Sequence, residues 1–369
     1  MTIDETLLKS DEKAVFALRS LYCRFGYSRF KMSKFEEYDL YVKNKDFLVS
    51  DGIITFTDTN GHLKALKPDV TLSIINNIKD DSEVKKLYYN ENVYRISGST
   101  HTYKEIMQTG LECIGNIGRL EVCEVLSLAA KSLETVAENG VMELSHVGII
   151  EAAFCEVGVP GELYPKFISC INRKSNDDML LLAQENGLDA HSLSVFTKNY
   201  TAPELAFAEI ETEFKSEAVM TALDELRETV TAIKNCCGRI RLIVDFSAIG
   251  GMVYYSGVVF KGYIDGIPEA VLSGGQYDRL MKKLNRNAGA IGFAVYLDAL
   301  QGLDRAEKEY DVDTVLLCGD DVAAAISTSE MLSGGGSSVL LCREIPKNIR
   351  YRRAVKLSKR GLETVYENA

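Results

Sequence analysis

The segment "KKLYYNENVYRISGSTHTYKEIMQTGLECIG", Lys85–Gly115, decides the fold because it predicts two long neighbouring strands. Aromatic and apolar residues recur through "KKLYYNENVYRI" and "YKEIMQTGLECIG", as is typical of strands. The polar "SGSTHT" between them has the glycine and serine content of a turn. The sequence therefore predicts a long antiparallel pair of strands here.

The residues before this pair predict helices and a second, shorter hairpin. Apolar residues at helical spacing predict a helix over 11–26, with Gly26 as its stop signal. "GIITFTDTNGHLKAL" predicts a hairpin that turns at Asn60-Gly61. "KPDVTLSIINNI" then predicts a helix with Pro68 at an early helical position and Asp69 in its first turn.

The residues after the strand pair fall into three regions. Residues 119–236 are predicted to be largely helical, with one long helix ending at Gly140. The next region is rich in strand formers, and "NAGAIGFAVYLDAL" at 287–300 continues it with a helix-like apolar run. The tail predicts a small α/β unit that ends in a basic helix. Arg350, Arg352, Arg353, Lys356, Lys359 and Arg360 would form the solvated face of that helix.

This order of elements predicts an α+β fold and excludes a doubly wound parallel sheet. We expect a core of residues 1–305 that carries a helical insertion at about 119–236. We expect residues 306–369 to form a short C-terminal α/β domain.

The composition excludes several classes of protein. The 369 residues carry a net charge of −11, which argues against a large nucleic-acid footprint. Nine cysteines without a CxxC pair and only four histidines predict reduced thiols in a cytoplasmic protein, with no metal and no cofactor. The polar, acidic first residues do not resemble a signal peptide, and no apolar run reaches the roughly 18 residues that a membrane span needs.

A group of polar residues could form a pocket for a small polar ligand. Carboxylate and amide oxygens can accept hydrogen bonds from an ammonium group or an imidazole N–H, and tyrosines add ring area with a polar tip. The alternative is that each of these groups is a satisfied polar residue of the core. The candidates are Asp69, Thr71, Gln108, Glu112, Tyr254 and Tyr255.

Four segments taken together resemble histidyl-tRNA synthetase, a class II aminoacyl-tRNA synthetase. They are "LKPDVT" (66–71), "YRISGSTHTYKEIMQTGLECIG" (94–115), "IGGMVYYSGVVFKGY" (249–263) with "GGQYDRL" (274–280), and "GAIGFAVYLDAL" (289–300). The resemblance covers residues 10–120 and 240–303 and implies an antiparallel sheet flanked by helices. It also implies that the six candidate residues line a histidine pocket, and that Arg95 matches the arginine of motif 2.

The same resemblance shows departures at positions that carry charge in synthetases. The motif 3 arginine position holds Ala299, and the arginine position before the tyrosine pair holds Gly250. The acid before the tyrosine pair is replaced by Val253, the motif 2 glutamate by Ser97 and the motif 1 proline by Ser33. Loss of two arginines that stabilise transition-state charge should slow adenylate formation by many orders of magnitude. The sequence therefore predicts a binding protein that does not aminoacylate.

These departures and the short tail, which looks like a truncated anticodon-binding domain, resemble the regulatory-subunit family of ATP phosphoribosyltransferase. That resemblance implies a non-catalytic chain that works with a short-form catalytic subunit in the first step of histidine biosynthesis and takes part in feedback by histidine. It implies a hetero-octamer and a self-dimer through the synthetase-like core, with no tRNA or membrane as a partner. A divergent histidyl-tRNA synthetase and another amino-acid-binding paralogue remain the alternatives.

Overall fold

The computed structural model describes residues 8–44, 52–78, 83–97, 100–249, 255–301, 309–334, 336–358 and 361–367. The chain divides into two compact units, Met1–Asp304 and Arg305–Ala369. The strands described in the first unit are β1 (Ser28–Arg29), β2 (Phe35–Glu37), β3 (Thr55–Thr57), β4 (Leu63–Leu66), β5 (Lys85–Ile96), β6 (Tyr103–Gly115), β7 (Gly140–His146), β8 (Ile240–Val244), β9 (Val258–Ile264), β10 (Leu272–Gln276) and β11 (Gly289–Tyr296).

The helices of the first unit cover and connect these strands. Asp69 and Ser216 cap the N-terminal ends of α3 and α9. Their side chains accept hydrogen bonds from backbone N–H groups of the first turn. Within the described residues, no helix is long and apolar enough to cross a membrane. The helices are α1 (Ser10–Arg24), α2 (Tyr38–Val42), α3 (Val70–Asn77), α4 (Arg119–Val136), α5 (Val147–Val157), α6 (Tyr164–Asn172), α7 (Asn176–Glu185), α8 (Pro203–Glu213), α9 (Glu217–Cys236), α10 (Asp278–Lys283) and α11 (Leu297–Leu300).

An eight-stranded sheet forms the centre of the first unit, in the order β1-β5-β6-β11-β10-β9-β7-β8. The predicted strand pair is its longest ladder, in which β5 and β6 pair antiparallel from Lys85 opposite Ile114 to Ile96 opposite Tyr103. The pairs β1–β5 and β7–β8 are parallel, and the other five described pairs of this sheet are antiparallel. The predicted α+β class is confirmed.

The two faces of the central strands differ in composition. Leu111 and Phe293 face the larger apolar core, which includes buried residues of α1 and α4. Because side chains alternate along a strand, Gln108 and Glu112 point to the opposite face. That face meets a second, smaller core to which α3 and α10 contribute.

The helix-like run predicted at 287–300 is mostly a strand, so that prediction is wrong. Residues Gly289–Tyr296 form β11, and only Leu297–Leu300 form a helical turn. Ile291, Phe293 and Val295 alternate toward the larger core, while the intervening small residues face the other side. Since both faces of β11 are covered, its apolar run is nearly continuous and resembles a buried helix in sequence.

The long helix predicted to end at Gly140 ends earlier. Helix α4 stops at Val136, and Ala137 has an extended backbone with φ −149°. Gly140 is the first residue of β7, which pairs with both β8 and β9 in the central sheet. Residues 119–236 therefore include one strand of the core, and the run of successive helices is α5–α9. Helix α3 also begins later than predicted, because Asp69 is its N-cap instead of a first-turn residue and Pro68 lies before the helix.

The described residues of the second unit form a four-stranded sheet and one helix. Its elements are β12 (Val312–Leu317), α12 (Val322–Ser333), β13 (Val339–Cys342), β14 (Tyr351–Ser358) and β15 (Gly361–Glu367), and the strand order is β13-β12-β14-β15. The predicted basic helix is wrong, because Arg352, Arg353 and Lys356 lie on strand β14. Strand β14 pairs antiparallel with β15, and its exposed Lys356 lies between Val355 and Leu357, which are less exposed. Lys359 and Arg360 lie outside the described residues.

Candidate functional site

The N-terminus of α3 brings two candidate residues to the polar face of the central sheet. The Asp69 carboxylate accepts a hydrogen bond from the backbone N–H of Leu72 at 2.8 Å, which caps the helix. Thr71 follows in the first turn, and its hydroxyl donates to Oε1 of Glu112 on β6 at 2.8 Å. The helix start and the strand are thus joined through the candidate site itself.

Glu112 is the centre of this arrangement. Its side chain is 2% exposed, and its two carboxylate oxygens accept hydrogen bonds from Thr71 and from the hydroxyl of Tyr277. Burial raises the pKa of Glu112 to about 8, although the two hydroxyl donors oppose that rise. No lysine, arginine or histidine of the described ranges contributes to this pKa. A buried carboxylate held only by neutral donors is suited to receive a cationic or N–H-bearing ligand.

Two glycines of the sheet leave the space that the side chains of Glu112 and Tyr255 occupy. Gly292 on β11 is opposite Glu112, and a Cβ at that position would be 1.7 Å from Oε2 of Glu112. Gly275 on β10 is opposite Gly292, and a Cβ there would be 2.7 Å from the ring of Tyr255. Any larger residue at either position would displace the glutamate or the tyrosine.

Arg95 and Asp69 interact at the edge of the same region. The Nε of Arg95 donates to the backbone carbonyl of Pro68 at 2.9 Å, which ties the segment before α3 to β5. Burial raises the pKa of Asp69, while the bond from Leu72 and the charge of Arg95 lower it. The side chain of Arg95 therefore supports the backbone and partly balances the buried carboxylate of Asp69.

Gln108 and Tyr255 complete the candidate residues that the structure describes. Gln108 is 4% exposed and lies four residues before Glu112, on the same face of β6. Burial raises the pKa of Tyr255, and the neighbouring ionisable groups of Tyr296, Glu112 and Asp69 raise it further. Tyr255 is therefore a neutral hydroxyl at physiological pH. Tyr254 lies outside the described residues.

The sequence reasoning missed three residues of this region. Tyr277, which lies within "GGQYDRL", donates a hydrogen bond to Glu112, and nothing in that segment alone indicates this role. Gly292 was not identified, because the need for a glycine arises only from the register with β6. Tyr296 shares a hydrogen bond of 2.6 Å with the hydroxyl of Ser273 and is one of the groups that raise the pKa of Tyr255.

Three of the five positions at which the resemblance implies a departure from synthetases, Ser33, Ser97 and Ala299, lie among the described residues. Ala299 lies in α11 and packs against the larger core. The hydroxyl of Ser33 accepts the backbone N–H of Phe35 at 3.1 Å, and Ser97 follows β5. Gly250 and Val253 lie outside the described residues. Across the described ranges, no group of three or more potential ligands could hold a metal ion.

Comparisons with known proteins identify the family. The family model for histidyl-tRNA synthetase matches residues 4–300. A curated relative from Desulfitobacterium hafniense (strain Y51), named ATP phosphoribosyltransferase regulatory subunit, is 27% identical over 80% of this chain and 78% of its own length. A relative of the same name from Clostridium kluyveri is 28% identical over 77% of this chain and 75% of its own length.

Solved structures share the fold. A protein of Bacillus halodurans C, described as an ATP phosphoribosyltransferase regulatory subunit/histidyl-tRNA synthetase, superposes with TM-score 0.72 and 22% identity over 90% of this chain and 88% of that chain. A chain of the ATP phosphoribosyl transferase (HisG:HisZ) complex from Thermotoga maritima gives TM-score 0.63 and 21% identity over 78% of this chain and 97% of that chain. Since the family model covers well over half of the residues, the chain belongs to the histidyl-tRNA synthetase family.

Proposed function

We propose that this chain is the non-catalytic regulatory subunit of an ATP phosphoribosyltransferase, required by a short-form catalytic subunit for the first step of histidine biosynthesis. The observation that carries the proposal is the similarity to relatives that bear this name. They are 24–28% identical over at least three quarters of the chain. The catalytic subunit is thus the partner that we propose.

Loss of the synthetase cations supports a role without aminoacylation. Adenylate formation places negative charge on transferring phosphates, and fixed cations stabilise it. Ala299 and Gly250 stand at positions where the resemblance predicts arginines, and Ser97 stands where it predicts a glutamate. Arg95 is retained, but one of its donors is used by the backbone of Pro68.

The chain would bind histidine in the region around Glu112. A histidine supplies an ammonium group and an imidazole N–H, and these are the donors that the buried acceptors could take up. Binding would also offset the cost of the buried carboxylate. The residues proposed to line the pocket are Asp69, Thr71, Arg95, Gln108, Glu112, Tyr254 and Tyr255.

Feedback would follow if histidine binds the active and inactive assemblies with different affinity. A self-dimer through the synthetase-like core and a hetero-octamer with the catalytic subunit are parts of the same proposal, as is its cytoplasmic location. The assignment of residues 306–369 to a truncated anticodon-binding domain is likewise a proposal.

The test is phosphoribosyl-ATP formation from ATP and phosphoribosyl pyrophosphate by the short-form catalytic subunit of the same source. We expect activity in the mixture of both chains, none from either alone, and a decrease when histidine is added. Glu112→Gln should keep activation of the partner but weaken the response to histidine. Full activity of the catalytic subunit alone would overturn the proposed role.

A parallel assay separates the proposal from the synthetase alternative. ATP–pyrophosphate exchange that depends on histidine would show that this chain forms an adenylate, and the proposed loss of catalysis would then be wrong. We expect no exchange above the level of a sample without protein.

A further inference from the structure

Two adjacent cysteines lie at the C-terminal end of α9. Cys236 is the last helical residue and is exposed, whereas Cys237 is 6% exposed. Their Sγ atoms are 3.5 Å apart. We call these two residues the vicinal thiol pair.

Neighbouring groups hold the vicinal thiol pair in place. The backbone N–H of Cys237 donates to the carbonyl of Ile233 at 2.8 Å and closes the last turn of α9. From α4, Lys131 Nζ donates to the carbonyl of Cys236 at 3.0 Å, and the carbonyl of Ser127 lies 3.9 Å from Sγ of Cys237. The backbone of the pair and the buried sulfur of Cys237 are thus held in place before any ligand arrives, which reduces the entropy cost of binding through both sulfurs.

The distance of 3.5 Å between the two Sγ atoms allows both sulfurs to bind the same central atom. Two thiolates on a tetrahedral zinc, each at about 2.3 Å, lie about 3.8 Å apart, which is close to the spacing of this pair. A zinc ion would need two further ligands, and across the described ranges no cluster of three or more potential ligands exists. The site therefore favours a soft, thiophilic centre that is complete with two sulfurs.

We propose that the vicinal thiol pair is a bidentate binding site for trivalent organic arsenic, a soft centre that already carries one carbon substituent. With an arsine oxide, two S–H bonds break and two As–S bonds form, and the oxygen leaves with the two protons as water. No electrons are transferred, so no oxidant or reductant is required. The exposed Cys236 forms the first As–S bond, and the buried Cys237 then forms the second and closes the ring.

Closure by Cys237 should be the slower step. Burial raises the pKa of the Cys237 thiol to about 12, so very little thiolate is present at neutral pH. Once arsenic is attached to Cys236, the fixed neighbouring sulfur acts at a high effective concentration and compensates for this. The complete ring should then resist competition by simple monothiols.

The experiment uses the full-length chain and phenylarsine oxide in the presence of excess 2-mercaptoethanol, followed by mass spectrometry. We expect a single arsenic atom per chain that persists in the monothiol and is removed by 2,3-dimercaptopropanol. Digestion with trypsin should place it on Asn235–Arg239, the peptide "NCCGR" that contains both sulfurs. Cys236→Ser should abolish the persistent adduct.

Cys155→Ser provides the matched control, because Cys155 is also exposed but its sulfur contacts the hydroxyl of Tyr164 at 3.4 Å. This variant should retain the adduct. Circular dichroism of both variants checks that the fold is intact, and the exposed position of Cys236 makes its replacement by serine mild. A persistent adduct that survives in Cys236→Ser, or that maps to a peptide with Cys318 or Cys342, would overturn the proposal.

Discussion

The two faces of strands β6 and β11 show how one sheet serves stability and binding separately. On one face, Leu111 and Phe293 are opposite each other and fully enclosed by apolar neighbours. On the other face, one residue away, Glu112 is opposite Gly292 and accepts hydrogen bonds from the hydroxyls of Thr71 and Tyr277. Apolar burial on the first face contributes free energy of folding, whereas the second face buries a carboxylate that costs free energy until a ligand compensates it.

Adjacent residues of one strand, such as Leu111 and Glu112, can therefore serve different roles, one in stability and the other in binding. Substitutions on the apolar face should lower stability without a specific effect on ligand binding. Substitutions on the polar face should change binding, and some should even increase stability in the absence of ligand.

Leu111→Ala should give the largest loss of stability. The side chain is fully buried, so truncation removes apolar contacts and leaves a cavity, which costs about 2–5 kcal/mol. Urea unfolding at fixed pH and protein concentration measures the change. Leu205→Ala on α8 is the control, since Leu205 is 56% exposed and should lose less than about 0.5 kcal/mol. Equal losses in the two variants would contradict the assignment of the larger core.

Gly292→Ala should give the largest loss of histidine binding. The new Cβ would overlap Oε2 of Glu112 and force the carboxylate away from Thr71 and Tyr277. We expect a decrease in affinity of at least about 100-fold, or about 2.7 kcal/mol, by calorimetry. Gly161→Ala is the control, because no atom lies within 4 Å of a Cβ there. Unchanged affinity in Gly292→Ala would show that histidine binds elsewhere.

Glu112→Gln should alter the pH dependence of stability. With a folded pKa of about 8 and an unfolded value near 4.5, the native carboxyl retains its proton over a range where the unfolded one has lost it. The contribution of this group to stability is therefore fully present below pH 4.5 and decreases as pH rises to about 8, by a few kcal/mol at most. The variant lacks this decrease, so without ligand it should be more stable than wild type at pH 8.

The same substitution should weaken histidine binding by about tenfold or more, since an amide offers the ligand no charge. Urea unfolding of both proteins from pH 4.5 to 8 tests the first effect, and calorimetry at pH 8 tests the second. A constant difference in stability across this pH range would mean that Glu112 is already ionised in the native protein near pH 5.

The sequence predicted the features that depend on local pattern. The β5–β6 pair, the Asn60-Gly61 turn and the start of α3 near Asp69 each have a strong local signal, and the structure contains all three. The prediction of a helix-like run at 287–300 was wrong because β11 is covered on both faces. Its sequence therefore lacks the alternation of apolar and polar residues that marks a half-exposed strand. The prediction of a basic helix was wrong because the charged side chains at the exposed positions of β14, Arg352 and Lys356, resemble those of a solvated helix face in sequence.

The site was predictable by residue type but not by geometry. Glu112 and Thr71 were named as separate acceptor and hydroxyl candidates, and the structure joins them by a hydrogen bond over 41 positions of sequence. The roles of Tyr277 and Gly292 depend on strand register, which a single sequence does not specify.

Thr71→Val and Thr109→Val should have the smallest effects, and together they sharpen the contrast between the faces. Thr71 donates to the Glu112 carboxylate, whereas Thr109 is buried on the other face of β6 and donates to the backbone carbonyl of Tyr89 at 2.9 Å. Loss of the Thr109 bond should cost about 1 kcal/mol of stability and leave histidine affinity unchanged. Loss of the Thr71 bond removes a donor that favours the ionised carboxylate, so the pKa of Glu112 should rise further and histidine affinity at pH 7 should fall several-fold. Paired calorimetry and urea unfolding decide the matter, since an equal loss of affinity in both variants would mean that the two faces are not independent.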